Sequence, residues 1–280
     1  MLKSVTLDDD ETRDGARTPA KALRLDAVSY LNAAPLCYGL AAEPRFDLRR
    51  ALPAIVAEAL HAGESDLAMI PSIEYARGSG YAIVPGIAIT SRGPVRSVNL
   101  FLNGRLEDVR SVALDTSSRT SVALARILLR EQLGRDPEYV AMAPSVDAML
   151  ARCDAALVIG DPALDYEGGA ARVDLGALWT ERTGLPFVWA FWAGRPDALT
   201  ASDVQRLQRA LAEGLAARTE IAREWAGRAE HAARNGSYLR DNIVYALGEA
   251  ECAGLRLFYA RARALSLIAK EPEIRFHGAP

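Results

Sequence analysis

The sequence predicts an α/β protein built from two similar lobes with a ligand cleft between them. Three observations carry this. From residue 23 onward, short runs rich in β-branched and apolar residues alternate with helix-length stretches. A unit of helix end, strand and turn occurs twice, as HAGESDLAMIPS at 61–72 and as LARCDAALVIGD at 150–161. Polar turns follow the carboxyl ends of several strands, where α/β proteins place their ligand chemistry.

The 280 residues, 50% of them hydrophobic, suffice for substantial cores. With 33 basic and 36 acidic residues the formal net charge is −3, so no overall field selects nucleic acid or an anionic membrane surface. An anionic ligand must be attracted locally. No apolar run approaches the length that spans a bilayer. Cys37, Cys153 and Cys252 lack the spacing of a zinc site and read as buried free thiols. His61, His231 and His277 are scattered, and none stands in a catalytic motif.

Taken in order, residues 1–22 are polar and charged, without the apolar segment of a secretory signal, and read as a disordered leader. LRLDAV (23–28) is the first strand. SYLNAAP (29–35) is the turn after it, bearing Ser29, Tyr30 and Asn32, with Pro35 opening a helix-like LCYGLAA. Between Arg49 and Gly63, apolar residues recur at helical spacing. DLAMI, YAIV and IAIT are further strands, and SVNLFLN crosses into the second lobe near residue 98. SVALD, EYVA and DAALVI build that lobe, and PFVWAFWAG returns near 190. Lobe I is thus expected over 23–97 and 190–280, lobe II over 98–189, with both crossings as the hinge. After Pro196 the chain reads as helical. Ser202 and Gln205 form a capping box for a helix running to Trp225, and SYLRDNIVYALG and ECAGLRLFYARARALSLIA read as amphipathic helices packed around the first lobe. Interspersed Asp and Glu make their arginines a solvated face rather than a nucleic-acid surface.

Aligning Asp66 with Asp154 in the repeated unit puts Ser72 on Gly160, just beyond equivalent strand ends. In LDTSSRTSVALARILL (114–129), a strand end leads through Thr116, Ser117, Ser118, Arg119, Thr120 and Ser121 into an apolar helix. Those hydroxyls either cap the helix or leave its N–H groups and positive dipole end free for an anion, with Arg119 adding charge. Placement opposite Ser72 favours carboxylate binding. The glycines and lysine of a P-loop are missing. TSRGPVRSV (90–98) is either a polar hinge turn or a segment that puts Ser97 in the cleft mouth. In GDPAL (160–164), Asp161 caps the helix begun by Pro162 or lines the pocket, with the Gly160 backbone near ligand. The carboxylate pairs Glu64/Asp66 and Asp161/Asp165 sit at element ends and read as structural. No GxSxG occurs, which speaks against a Ser-His-Asp hydrolase. Reading residues alone ends at an anion-binding, two-lobed cleft without a reaction.

SYLNAAPL, AGESDLAMIPSIEYAR, GPVRSV, DTSSRTSVALA, ALVIGDPAL and DLGALWTERTGLPFVWAFWA, in this order, cover nearly all of residues 24–194. Together they resemble the chorismate dehydratases of the futalosine route to menaquinone. The resemblance implies a periplasmic-binding-protein-like fold of the second type, used by a cytoplasmic enzyme. It implies removal of water from chorismate, a dicarboxylate, to give 3-[(1-carboxyvinyl)oxy]benzoate, with no metal and no organic cofactor. Neither nucleic acid nor membrane is an implied partner, and a homodimer is compatible with it.

Carried over by motif, Asn32 and Ser97 fall on catalytic positions, and Ser72, Gly160 and the segment Thr116 to Ser121 on ligand-lining ones. Ser29 and Asp161 complete the expected substrate-binding set beside Ser72, Thr116, Ser117, Ser118, Arg119, Thr120 and Gly160. An amide does not titrate near neutrality, so Asn32 is expected to hydrogen-bond the departing hydroxyl or the enolpyruvyl carboxylate, while a substrate carboxylate acts as base. Two other readings share the fold: a non-catalytic receptor for a small carboxylate, and 1,4-dihydroxy-6-naphthoate synthase of the same pathway, which would use a cleft histidine.

Overall fold

A computed structural model describes residues 22–278. All of the expected leader except Ala22 lies outside the described residues. β1 (Leu23–Val28) is buried at five of its six positions and pairs in parallel with β2 (Phe46–Ala51). β2 replaces the start of the helix expected from Arg49. Its exposed arginines suit an edge strand, and Arg49 reaches Asp26 on β1 at 2.6 Å. Pro53 then stands at the first turn of α1 (Pro53–His61), where its missing N–H costs nothing. The segment after β1 is a 3₁₀ turn, Leu31–Cys37, enclosing Pro35, followed by a short one, Leu40–Ala42, instead of a helix opened by Pro35.

β3 (Leu67–Pro71), α2 (Ser72–Arg77), β4 (Ala82–Ile83) and β5 (Gly86–Ser91) follow. The chain then enters a second sheet with β6 (Val98–Leu102), β7 (Ser111–Asp115), α3 (Thr120–Leu133), β8 (Glu138–Met142), α4 (Val146–Leu150), β9 (Ala155–Ile159), α5 (Gly160–Leu164), β10 (Ala171–Asp174) and α6 (Leu175–Thr183). β11 (Phe187–Gly194) rejoins the first sheet three residues before the expected return near 190.

The remaining elements are α7 (Ala201–Ala216), α8 (Arg218–Trp225), α9 (Ala229–Ser237), β12 (Val244–Leu247) and α10 (Glu249–Ala264). The capping box on α7 uses Thr200 and Asp203, not Ser202 and Gln205. The stretch to Trp225 breaks into two helices at Ala217. SYLRDNIVYALG is not a helix: a π-helical turn, Tyr238–Asn242, leads into β12, which pairs with β5. Its alternating Tyr245 and Leu247 are buried while Ala246 is exposed, the period of a strand.

The first sheet runs β12-β5-β11-β3-β1-β2, with β4 beside β11; the second runs β10-β6-β9-β7-β8. Each contains the same motif. Three parallel strands, β2-β1-β3 in one and β8-β7-β9 in the other, adjoin an antiparallel strand, β11 or β6, that comes from the opposite crossing. Along β9, Ala155, Leu157 and Ile159 join the large core shared with the first sheet, while Ala156 and Val158 face a smaller core around Phe101 and Met149. The three cysteines are buried free thiols. Among the described residues, no helix is long and apolar enough to cross a membrane.

Candidate active site

The carboxyl ends of β1, β3 and β9, the loop before α3 and the two crossing segments converge on a cleft. Asn32, Ser97, Ser118, Arg119, Thr120 and Gly160 all line it, together with Ser121, Tyr30 and Trp189. Among the described residues on this lining, Arg119 is the one formal charge; the rest is hydroxyl, amide and apolar surface.

Asn32 lies in the 3₁₀ turn after β1. Its backbone is held from three sides: Asp161 Oδ1 accepts from Leu31 N at 3.1 Å, Tyr30 O accepts from Ala33 N, and Tyr245 donates its hydroxyl to Asn32 O at 3.0 Å. α7 presses on the same turn through Gly214, where a β-carbon would stand 2.1 Å from Pro35 O. The Asn32 Oδ1 atom is buried without a hydrogen-bond partner.

Ser97 is set by a strained turn. Arg96 adopts φ +62°, a region that a side chain other than glycine's disfavours by about 1–2 kcal/mol. The Asp174 carboxylate secures it by accepting from Val95 N at 3.1 Å and Arg96 N at 2.6 Å, while also capping α6. Ser97 O accepts from Gly160 N at 2.8 Å, and Ser97 Oγ accepts from the Tyr238 hydroxyl at 2.7 Å. Gly160, at φ +67°, lies under the Tyr30 ring: a β-carbon there would meet three ring atoms at 2.7 Å. No larger residue fits that contact.

At the start of α3, no side chain caps the helix. The hydroxyls therefore leave its first N–H groups to the cleft, which favours the anion-binding alternative. Thr120 Oγ1 accepts from Ile73 N at 3.1 Å, a link across the two sheets. Arg119 pairs with Glu58 of α1 at 2.8 Å across the mouth.

Five expected substrate contacts do not line the cleft. Ser72 is fully buried and donates to Val188 O at 2.7 Å, so its hydroxyl is spent on β11. Ser117 donates to Asp115 Oδ1 at 2.6 Å and lies 3.1 Å from the Tyr30 hydroxyl, behind the surface. Thr116 is exposed, with its N–H on Met142 O. Ser29 uses its N–H on Ala51 O beside β2. Asp161 is neither a cap for its own helix nor a wall of this cleft: its two oxygens accept from Leu31 N and from Trp225 Nε1 at 2.9 Å, joining α5 to the Asn32 turn and to α8. Burial pushes its carboxyl, like that of Asp115, above the ordinary range, against the donors that hold it down.

Sequence reasoning missed Trp189, Tyr238 and Tyr245. Trp189 turns its indole N–H onto Ser91 Oγ at 3.0 Å and leaves an apolar flank to the cleft. Its signal was the run FVWAFWAG, read only as a strand. The two tyrosines carried no local signal, because their contacts with the site span 141 and 213 residues of sequence.

A family model described as menaquinone biosynthesis matches residues 23–264. A chorismate dehydratase of Thermus thermophilus is 35% identical over 263 residues, covering 85% of this chain and 93% of that protein. A chorismate dehydratase of Campylobacter jejuni is 29% identical over 172 residues, covering 58% and 63%. Among solved structures, a protein of Archaeoglobus fulgidus superposes with TM-score 0.70 at 19% identity, covering 90% of this chain and 100% of that one. The periplasmic aliphatic sulphonate binding protein of Escherichia coli gives 0.66 at 17%, covering 91% and 96%. These likenesses show the fold: two lobes of the periplasmic-binding-protein type.

Proposed function

The chain belongs to the menaquinone-biosynthesis family, and from that premise we propose that it is a chorismate dehydratase, a hydro-lyase that converts chorismate to 3-[(1-carboxyvinyl)oxy]benzoate and water. The observation that carries the site assignment is the buried, unpartnered Oδ1 of Asn32, a residue that lines one cleft with Ser97 and the uncapped start of α3.

In the reaction, the C–H bond at the ring carbon bearing the ether breaks and its electron pair becomes a ring double bond. The neighbouring C–O bond breaks, and the oxygen leaves as water with its own proton and the one released. Aromatisation drives the step. With no carboxylate, histidine or lysine on the described lining, the base is a carboxylate of the substrate, held beside the ring proton. The α3 amides and Arg119 hold one carboxylate; Asn32 and Ser97 attend the departing oxygen. Trp189 and Ile89 offer apolar surface to the ring. A naphthoate synthase would ask for a histidine on the cleft, and His61, His231 and His277 are all off its lining. The same proposal includes lobes over 23–97 with 190–280 and over 98–189 closing on substrate, a cytoplasmic location, and a homodimer.

Purified protein with chorismate, followed by mass spectrometry for loss of one water, tests the assignment beside Asn32→Ala and Ser97→Ala. Turnover to the enolpyruvyl benzoate, lowered by about 10²-fold or more in the Asn32 variant, is expected. Chorismate bound but unchanged would leave a carboxylate receptor instead.

A further inference from the structure

The segment expected to be a packing helix delivers a phenol to the candidate catalytic Ser97. Tyr238 opens the π-helical turn between α9 and β12, a local geometry that recurs at functional sites because it moves a side chain out of α-helical register. Its side chain is fully buried, and its hydroxyl donates to Ser97 Oγ at 2.7 Å. Burial pushes the phenol far above its ordinary range, so the hydroxyl proton stays on Tyr238 throughout the working pH range.

Donor and acceptor directions now follow along the chain of contacts. Tyr238 gives its one proton to Ser97 Oγ, so the Ser97 proton must go elsewhere, and Ser97 borders the cleft. Asn32, on the same lining, has its Oδ1 buried without a partner. A buried acceptor without a partner is costly in a folded protein and marks a place that a ligand completes.

We propose that Tyr238 is a positioning residue that sets the hydrogen-bond polarity of Ser97, presenting it as a donor to the departing substrate hydroxyl. The proposal rests on the chorismate dehydratase reading and narrows it. Ser97 donates to the hydroxyl's oxygen as the C–O bond weakens.

The test is Tyr238→Phe assayed with chorismate, alone and combined with Ser97→Ala. The expected result is a kcat lowered by about 10- to 100-fold with KM within about 3-fold, since geometry and not affinity is lost. In the Ser97→Ala background the same substitution should cost less than about 3-fold, because the residues act as one unit. A wild-type kcat in Tyr238→Phe, or costs that simply multiply, would overturn the role. Should Tyr238→Phe not fold, 3-fluorotyrosine at position 238 keeps the shape and changes the donor strength; a kcat altered about 2-fold or more at constant KM is expected, and an unaltered one overturns the proposal. No turnover by the wild-type protein overturns the reaction and this role together, whereas turnover indifferent to Tyr238 overturns the role alone.

Discussion

The two strand ends that the repeat aligns, Ser72 after β3 and Gly160 after β9, are built alike and used differently. At the far end of each motif, an aspartate accepts an N–H near the start of the neighbouring parallel strand: Asp66 from Arg24 N at 3.0 Å, Asp154 from Ser111 N at 2.9 Å. At the near end, both strands turn into a short helix facing the other sheet. There the likeness stops. Ser72 is sealed by Val188 O, by Thr120 and by the Tyr259 hydroxyl on its own carbonyl. Gly160 is left bare beneath Tyr30, with its N–H on Ser97 O, and borders the cleft. A repeated scaffold thus fixes where the two ends meet, and the departures from the repeat make one end a joint and the other a site.

The largest expected effect breaks that asymmetry at Gly160. Gly160→Ala places a methyl group 2.7 Å from the Tyr30 ring and strains a backbone at φ +67°. Either Tyr30 or the Ser97–Gly160 pair must shift, and kcat should fall by about 100-fold or more. Ser72→Ala removes a hydroxyl whose bonds are structural, so it should lower stability by about 1 kcal/mol and leave kcat within about 3-fold. Steady-state assays on variants whose circular dichroism matches the parent decide it. An active Gly160→Ala beside an inactive Ser72→Ala would invert the comparison.

Much of this asymmetry was legible, and the remainder has a physical reason. The repeat, its Asp66/Asp154 alignment and the pairing of Ser72 with Gly160 could be read from sequence because strand burial is written locally, as in DLAMI and DAALVI. β2 was missed because FDLRRA lies on an edge, where a half-exposed strand loses its apolar signature. Direction was also illegible. A hydroxyl at a strand end has the same letter whether it borders the cleft, as Ser97 does, or bonds β11, as Ser72 does. The tyrosines on the C-terminal segment contact the site only through tertiary structure, and a π-helical turn has no sequence period to announce it.

A smaller effect separates the two aspartates. Asp66 adds the Arg24 guanidinium, at 2.8 Å, to its strand-end bond, whereas Asp154 relies on backbone and Ser111 donors. The hydrogen bond from Arg24 holds the Asp66 carboxyl at about 2, against an ordinary 3.8. A group whose folded value is depressed binds its proton less readily than in the unfolded chain. Its contribution is therefore complete above about pH 4 and is lost as pH falls toward 2. Asp66→Asn should cost on the order of 2 kcal/mol at pH 7, with the deficit shrinking between pH 4 and 2, as urea unfolding at several pH values would show. Asp154→Asn should cost about 1 kcal/mol. Equal costs and equal pH profiles would mean that the Arg24 charge adds nothing beyond the strand-end bond.

The smallest effect concerns the one charged residue on the described lining. Arg119 is shared between the cleft and Glu58, whose carboxylate is two-thirds exposed at the mouth, so the pair is worth at most about 1 kcal/mol and is screened by salt. Glu58→Gln should leave stability within about 0.5 kcal/mol, since nothing buried depends on it. It should also release Arg119 toward an incoming dianion, lowering KM for chorismate by about 2-fold at low ionic strength, with the difference disappearing near 0.5 M salt. A raised KM would assign Glu58 the opposite part: it would be holding Arg119 in the orientation that binds. The contrast between the two strand ends would then extend to the mouth, with a residue of the first sheet's α1 acting as a support for the second sheet's site and not as its competitor.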